Sequence, residues 1–317
     1  MKPSKNIMLY GVFAGLFSMI CFSSYSVMGK ILLENLSPET MAAIGQTISV
    51  VTILLFFGFF PEIKKAYSLG RNKLILLWVI ATLSAVFAPI LLLKGLTMTT
   101  AINAVLVGRL EPVIAGAISY FWLKEKITMH QLIGAFVMFI GVLFIISGGS
   151  LSFSVLDTGS LYVIGAAASW ALATNIFKKY LDDISPELVV LIRNTVGATT
   201  LFLILPFFFD INHNISGELL RYEILLPLVM FALFTIIGAQ FFWYKTLELV
   251  SASTASSISL TTPIFGVALS YLVLGESIES YHYIGGIFIF IGLVLTVFHH
   301  KKHPKHHILE RIRNFHS

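Results

Sequence analysis

The chain has 317 residues, 57% of them hydrophobic and only 12% charged, about half the charged share of an ordinary soluble domain. That excludes a water-soluble globule: a bilayer core of about 30 Å takes roughly 20 apolar residues per helical crossing, so the length holds about ten crossings and no soluble domain of ordinary size. The net charge of +5 lies in short basic clusters between apolar runs, a pattern that sets membrane orientation and gives no nucleic-acid surface.

The first apolar run, 7–33, follows Lys2 and Lys5. It is too long for the apolar part of a secretory signal and lacks a small-residue cleavage site, so it reads as the first span. Further spans are predicted at 40–60, 74–93, 99–122, 130–147, 159–178, 187–209, 224–244, 252–274 and 281–299. Their lengths fit helices, since a barrel strand has about ten residues of alternating polarity. The single cysteine, Cys21, falls inside the first span, which excludes an internal disulfide.

The basic residues test the span count independently. With the N-terminus inside, Lys2, Lys5, Lys64, Lys65, Arg71, Lys73, Lys124, Lys126, Lys178, Lys179, Lys245 and the basic tail share the inner side, and only Lys30, Lys94 and Arg221 lie outside. Both termini are therefore expected in the cytoplasm, in an inner or plasma membrane.

The two halves match one another. Lys94, Pro112, Ser119, Tyr120, Leu123, Glu125, Gly134 and Gly141 recur as identical residues 151 positions on, and Lys30, Ser37, Pro38 and Glu39 recur 148 positions on. Five helices per repeat is an odd number, so the second copy enters the membrane from the opposite side. The expected fold is all-α: a polytopic membrane protein of ten transmembrane helices as two inverted five-helix repeats, 7–147 and 159–299, with a basic His-rich tail at 300–317. That is the architecture of secondary transporters.

The segments running from Glu111-Pro112 to Trp122-Leu123-Lys124-Glu125-Lys126-Ile127 and from Thr262-Pro263 to Val273-Leu274-Gly275-Glu276-Ser277-Ile278 resemble the paired signatures of EamA domains. Those domains belong to the drug/metabolite transporter superfamily. The resemblance covers about residues 10 to 298 and departs at Lys124, where glycine is usual. It implies ten helices in two inverted repeats and transport of small organic solutes, and it leaves the solute open.

Arg109 and Glu111 fall near the middle of the fourth span, where a charge costs about 2.5–3.5 kcal/mol on insertion scales, so each needs a cavity or a partner. Pro112 cannot donate to the carbonyl of Gly108, which predicts a helix break from Gly108 to Pro112. Its counterpart falls at Ser259 and Pro263. Arg193, whose repeat mate is Gly45, is placed to pair with Glu111, to grip a carboxylate or phosphate, or to snorkel inward. Thr262, the mate of Glu111, and Asn103 are expected to border the same cavity. Tyr25, Trp170, Asn175, Gln240 and Trp243 sit at compatible depths. Trp170 either stacks on a ligand or packs the core, and Asn175 and Gln240 either face solute or bond between helices.

The tail carries His299, His300, His303, His306 and His307 among lysines, a pattern better suited to anionic lipid heads than to a metal. Asn35-Leu36-Ser37 and Asn214-Ile215-Ser216 fit glycosylation sequons in outer loops. No catalytic triad, zinc spacing or phosphate loop has a supporting context, so neither an enzyme nor a cofactor is expected. The reading is a transporter of a small polar solute, an amino acid or related metabolite, exported by alternating access with protons as coupling ion and Glu111 as their carrier. Two alternatives stay open: import or exchange of anionic metabolites such as nucleotides or sugar phosphates, and a transport-inactive membrane scaffold.

Overall fold

A computed structural model describes residues 5–57, 69–150, 156–181, 184, 186–208 and 221–298. The tail 300–317, Lys64, Lys65, Asp182, Asp183 and the Asn214 sequon lie outside them. The described residues form helices and connections. In chain order the helices are α1 (Lys5–Leu32), α2 (Pro38–Phe57), α3 (Arg71–Ala81), α4 (Ala88–Leu96), α5 (Ala101–Val107), α6 (Glu111–Leu123), α7 (Met129–Ile146), α8 (Thr158–Tyr180), α9 (Pro186–Phe208), α10 (Tyr222–Met230), α11 (Ala239–Leu249), α12 (Ala252–Ser259), α13 (Thr262–Leu274) and α14 (Ser280–Phe298). Seven continuous helical stretches among these residues are long and apolar enough to cross a membrane. The protein is a polytopic helical membrane protein. Phe121, Met129, Phe136 and Leu272 stand exposed on the outer surface, where lipid accepts them.

Polar caps fix where the helices begin. Thr128 and Gln131 form a reciprocal capping box at the start of α7. Thr100 caps α5 through the N–H of Asn103, and Ser251, 151 positions later, caps α12 through the N–H of Thr254. Other local features recur at or within two residues of the same offset. A wide π-helical turn joins α3 to α4 at Thr82–Phe87, and another joins α10 to α11 at Phe231–Gly238. Helices α6 and α13 both end on a residue in the left-handed conformation, Lys124 (φ 55) and Gly275 (φ 66). Glycine takes that conformation without strain; lysine does not.

Joined end to end through these turns, the segments make rods that contact one another in a ring. The rod α5–α6 lies against α8, which lies against α3–α4; then follow α9, α2, α10–α11, α1 and α12–α13, which returns to α5. Helices α7 and α14 pack together outside the ring. Gly134 faces Gly292 and Gly141 faces Gly285, so this pair runs antiparallel, and a Cβ at Gly292 would stand 2.5 Å from the Gly134 carbonyl oxygen. Small residues permit that backbone approach, which in lipid supplies packing where no hydrophobic drive exists.

The two ends of the ring differ. At the end carrying Lys30, α1 crosses to α4 and α5, and α2 crosses to α4. Leu32, Met41, Leu93, Leu96 and Ile102 form an apolar plug there. At the end carrying Lys178, no comparable packing joins α8 to α11 and α12, or α9 to α11, among the described residues. Leu96 is 1% exposed and Leu247, 151 positions on, is 45% exposed. Every residue of α5 is buried and none of α6 is. Among the described residues, the ring is packed shut at the Lys30 end and lacks that packing at the other.

Candidate functional site

The rod α5–α6 changes pitch at its centre. Pro112 has no N–H for the carbonyl of Gly108, and the N–H of Glu111 takes that carbonyl instead, tightening Gly108–Leu110 into a 3-10 turn. Arg109 sits on this turn and Glu111 opens α6, so a basic and an acidic residue stand together at the pitch change. Arg109 Nε is buried without a hydrogen-bond partner. A buried, unserved donor on a guanidinium is costly unless a ligand or water meets it.

The related break between α12 and α13 is repaired differently. Pro263 cannot serve the carbonyl of Ser259, and the Thr262 hydroxyl donates to it at 2.8 Å. The Ser23 hydroxyl of α1 donates to the Thr262 carbonyl at 2.8 Å. Thr262 is 3% exposed, and its hydroxyl is occupied with backbone repair.

Several other candidates are spent on the scaffold. The Asn175 amide donates to the carbonyls of Ala115 (3.1 Å) and Ala171 (2.9 Å) and accepts from Ser119 Oγ (2.7 Å), tying α8 to α6. The Trp170 indole donates to the Ser84 carbonyl at 3.0 Å. In the π register set by the Ala88 N–H on Leu83, the donor due to Ser84 is residue 89, a proline, and Trp170 takes its place. Tyr25 packs against Phe231 with the rings tilted by 57° and their centroids 4.9 Å apart. Asn103 joins a polar cluster at the shut end. Its Nδ2 donates to Thr99 Oγ1 (3.1 Å) and Asp157 Oδ2 (3.3 Å), and its Oδ1 lies 2.9 Å from His282 Nε2. His282 Nδ1 accepts from the N–H of Glu279, leaving Nε2 as the donor to Asn103. Asn103 is therefore held apart from Arg109 and Glu111, in a cluster of its own.

Arg193 is half-buried on α9, and Gln240 and Trp243 are half-buried on α11. Two further buried amides were absent from the sequence-based set. Gln46 on α2 is 7% exposed and Asn194 on α9 is 1% exposed. Gln46 Oε1 and both amide atoms of Asn194 are buried without partners. They lie 148 positions apart, on two helices that pack against each other. The offset that aligns Lys30 with Lys178 would have found them, had it been applied to uncharged polar residues. Among the described residues no group of three His, Cys, Asp or Glu is placed to hold a metal.

Comparison with known proteins agrees with this architecture. A solved crystal structure superposes with a TM-score of 0.59 at 14% identity, covering 90% of this chain and 95% of the other, which is a likeness of fold. An uncharacterized transporter of Synechocystis sp. is 27% identical over 271 residues, 83% of this chain and 76% of its own length. A protein of Salmonella typhimurium named a probable amino-acid metabolite efflux pump is 28% identical over 189 residues, 57% of this chain and 62% of its own. The model of the EamA-like transporter family matches twice, at residues 9–147 and 157–298. The chain belongs to the EamA-like transporter family and is a transporter, not an enzyme.

Proposed function

We propose that the protein is a secondary transporter of ten crossings, built as two inverted five-helix repeats with both termini in the cytoplasm. It exports a small polar solute, an amino acid or a related metabolite, by alternating access. The twofold family match, the features recurring 151 positions apart and the antiparallel pair α7 and α14 support the inverted repeat. The basic clusters support an inside position for the Lys178 end, and on that reading the less packed end faces the cytoplasm, where an exported solute enters.

The observation that carries the solute class is the opposite-charge pair Arg109 and Glu111, with Arg109 Nε unserved. A zwitterion offers a carboxylate to the guanidinium and an ammonium to the carboxylate, matching both charges in one ligand. The amides of Gln46 and Asn194 supply further donors and acceptors. The Salmonella relative's name agrees with this class.

Counterflow of labelled amino acids in proteoliposomes tests it. Arg109→Ala is expected to abolish counterflow and to remove the thermal stabilisation that the transported solute gives the purified protein. Counterflow of sugar phosphates or nucleotides alone, with none for any zwitterion, would refute the solute class.

A further inference from the structure

We propose that Glu125 and Glu276 are reciprocal latches: each carboxylate reaches over to the neighbouring broken rod of the other repeat, caps its first turn when its end is shut, and releases it when that end opens. The inference rests on the alternating-access reading above and adds to it the residues that hold each end.

The two carboxylates, 151 positions apart, stand in the same local frame. Each follows a residue in the left-handed conformation, Lys124 or Gly275. Each donates its own N–H to a serine carbonyl, Glu125 to Ser119 at 3.2 Å and Glu276 to Ser270 at 3.4 Å. Each pairs with a lysine at the end of a long helix, Lys178 at 2.7 Å and Lys30 at 3.8 Å, and these lysines are themselves related by the 148 offset.

What differs is what the carboxylate does next. At the shut end, Glu276 accepts from the N–H of Ala101 at 2.7 Å and of Ile102 at 2.9 Å, and Lys30 donates onward to the Thr99 carbonyl. The Glu276 side chain is 12% exposed. One residue thereby pins α5 to the α13–α14 connection while neutralising the positive end of the rod. At the open end the Glu125 side chain is 40% exposed and its lysine 42%. The positions related to Ala101 and Ile102 are Ala252 and Ser253, the first turn of α12, and they are the partners Glu125 takes in the opposite state. The lysine pair persists in both states; only the cap is exchanged.

Single-cysteine reporters in a Cys21→Ser background test this, with an impermeant maleimide applied to either face of sealed vesicles. Leu247→Cys is expected to label from the cytoplasmic face and Leu96→Cys to be protected from the outer face. Adding Glu276→Ala is expected to speed Leu96→Cys labelling about tenfold or more and to slow Leu247→Cys, because the latch of the prevailing state is lost. Adding Glu125→Ala is expected to leave Leu96→Cys protected. Glu276→Gln, which keeps the side chain's shape and one acceptor oxygen, is run alongside as the gentler variant and is expected to give an intermediate rate. If Leu96→Cys is unaffected by both Glu276 variants while the reporters still answer on opposite faces, the latch is overturned and alternating access stands. If both reporters label together from one face in every variant, alternating access falls and takes the latch with it.

Discussion

Gly266→Ala is expected to wedge the shut end open. Gly266 of α13 lies against Val105 of α5, and an added Cβ would stand 2.4 Å from Cγ1, 2.8 Å from Cγ2 and 3.1 Å from Cβ of that valine. Turning Val105 gives no relief: both γ carbons already face the glycine, and a β-branched side chain in a helix is confined to one strongly preferred rotamer. The missing space, about 1 Å short of ordinary carbon contact, must come from α13 moving off α5. Overpacking of this kind costs about 1–3 kcal/mol. The cost falls on the state that brings Gly266 and Val105 together, so the ratio of the two states should shift by roughly 5- to 150-fold. Labelling of Leu96→Cys from the outer face reads the shift. Val105→Ala, which removes both γ carbons, should reverse it. The reasoning is refuted if Gly266→Ala lowers thermal stability while Leu96→Cys stays protected, or if Val105→Ala does not restore protection.

Two further outcomes follow from the site. Transport by Glu111→Gln in proteoliposomes should lose its dependence on the proton gradient, while counterflow at fixed pH continues with a raised KM, because the amide keeps the shape and an acceptor oxygen for the solute's ammonium but has no charge and cannot carry a proton; an unchanged pH profile would remove Glu111 as the carrier. Trp170→Phe should lower stability by about 1–3 kcal/mol, the cost of leaving the Ser84 carbonyl unserved beside Pro89, and leave the KM for solute unchanged. Thermal unfolding together with counterflow kinetics separates this from ligand stacking, in which the KM would rise.

The helical stretches were legible because lipid leaves the backbone few choices. A chain that satisfies its own N–H and C=O groups over about 20 apolar residues has to be helical, and the α7 limits, Met129–Ile146, lie one residue from those hydropathy gives. Side-chain direction was not legible in the same way. Trp170, Asn175 and Thr262 sit at the depth of a central site, yet each is spent on a neighbouring carbonyl that proline or helix packing left to be served. Hydropathy carries no information on which backbone groups lack donors. Gln46 and Asn194 were overlooked for the opposite reason: uncharged amides raise no alarm in a hydropathy scan, and their significance lies in partners that are missing.

A protein that alternates between two faces needs two packings of nearly equal energy, and repetition of one sequence supplies them. Identical halves would populate both equally, so the preference for one end must come from positions where the copies differ. Gly266 is such a position. It lets α13 close on α5 at the Lys30 end, whereas its mate, Ala115, carries a methyl group and has its carbonyl held by Asn175 of α8. That difference favours closure at the Lys30 end, the end that is packed shut among the described residues. Under the proposed alternating access, Gly266 thus tilts the balance between the two packings, and the proposed binding and latch residues act on a balance already tilted.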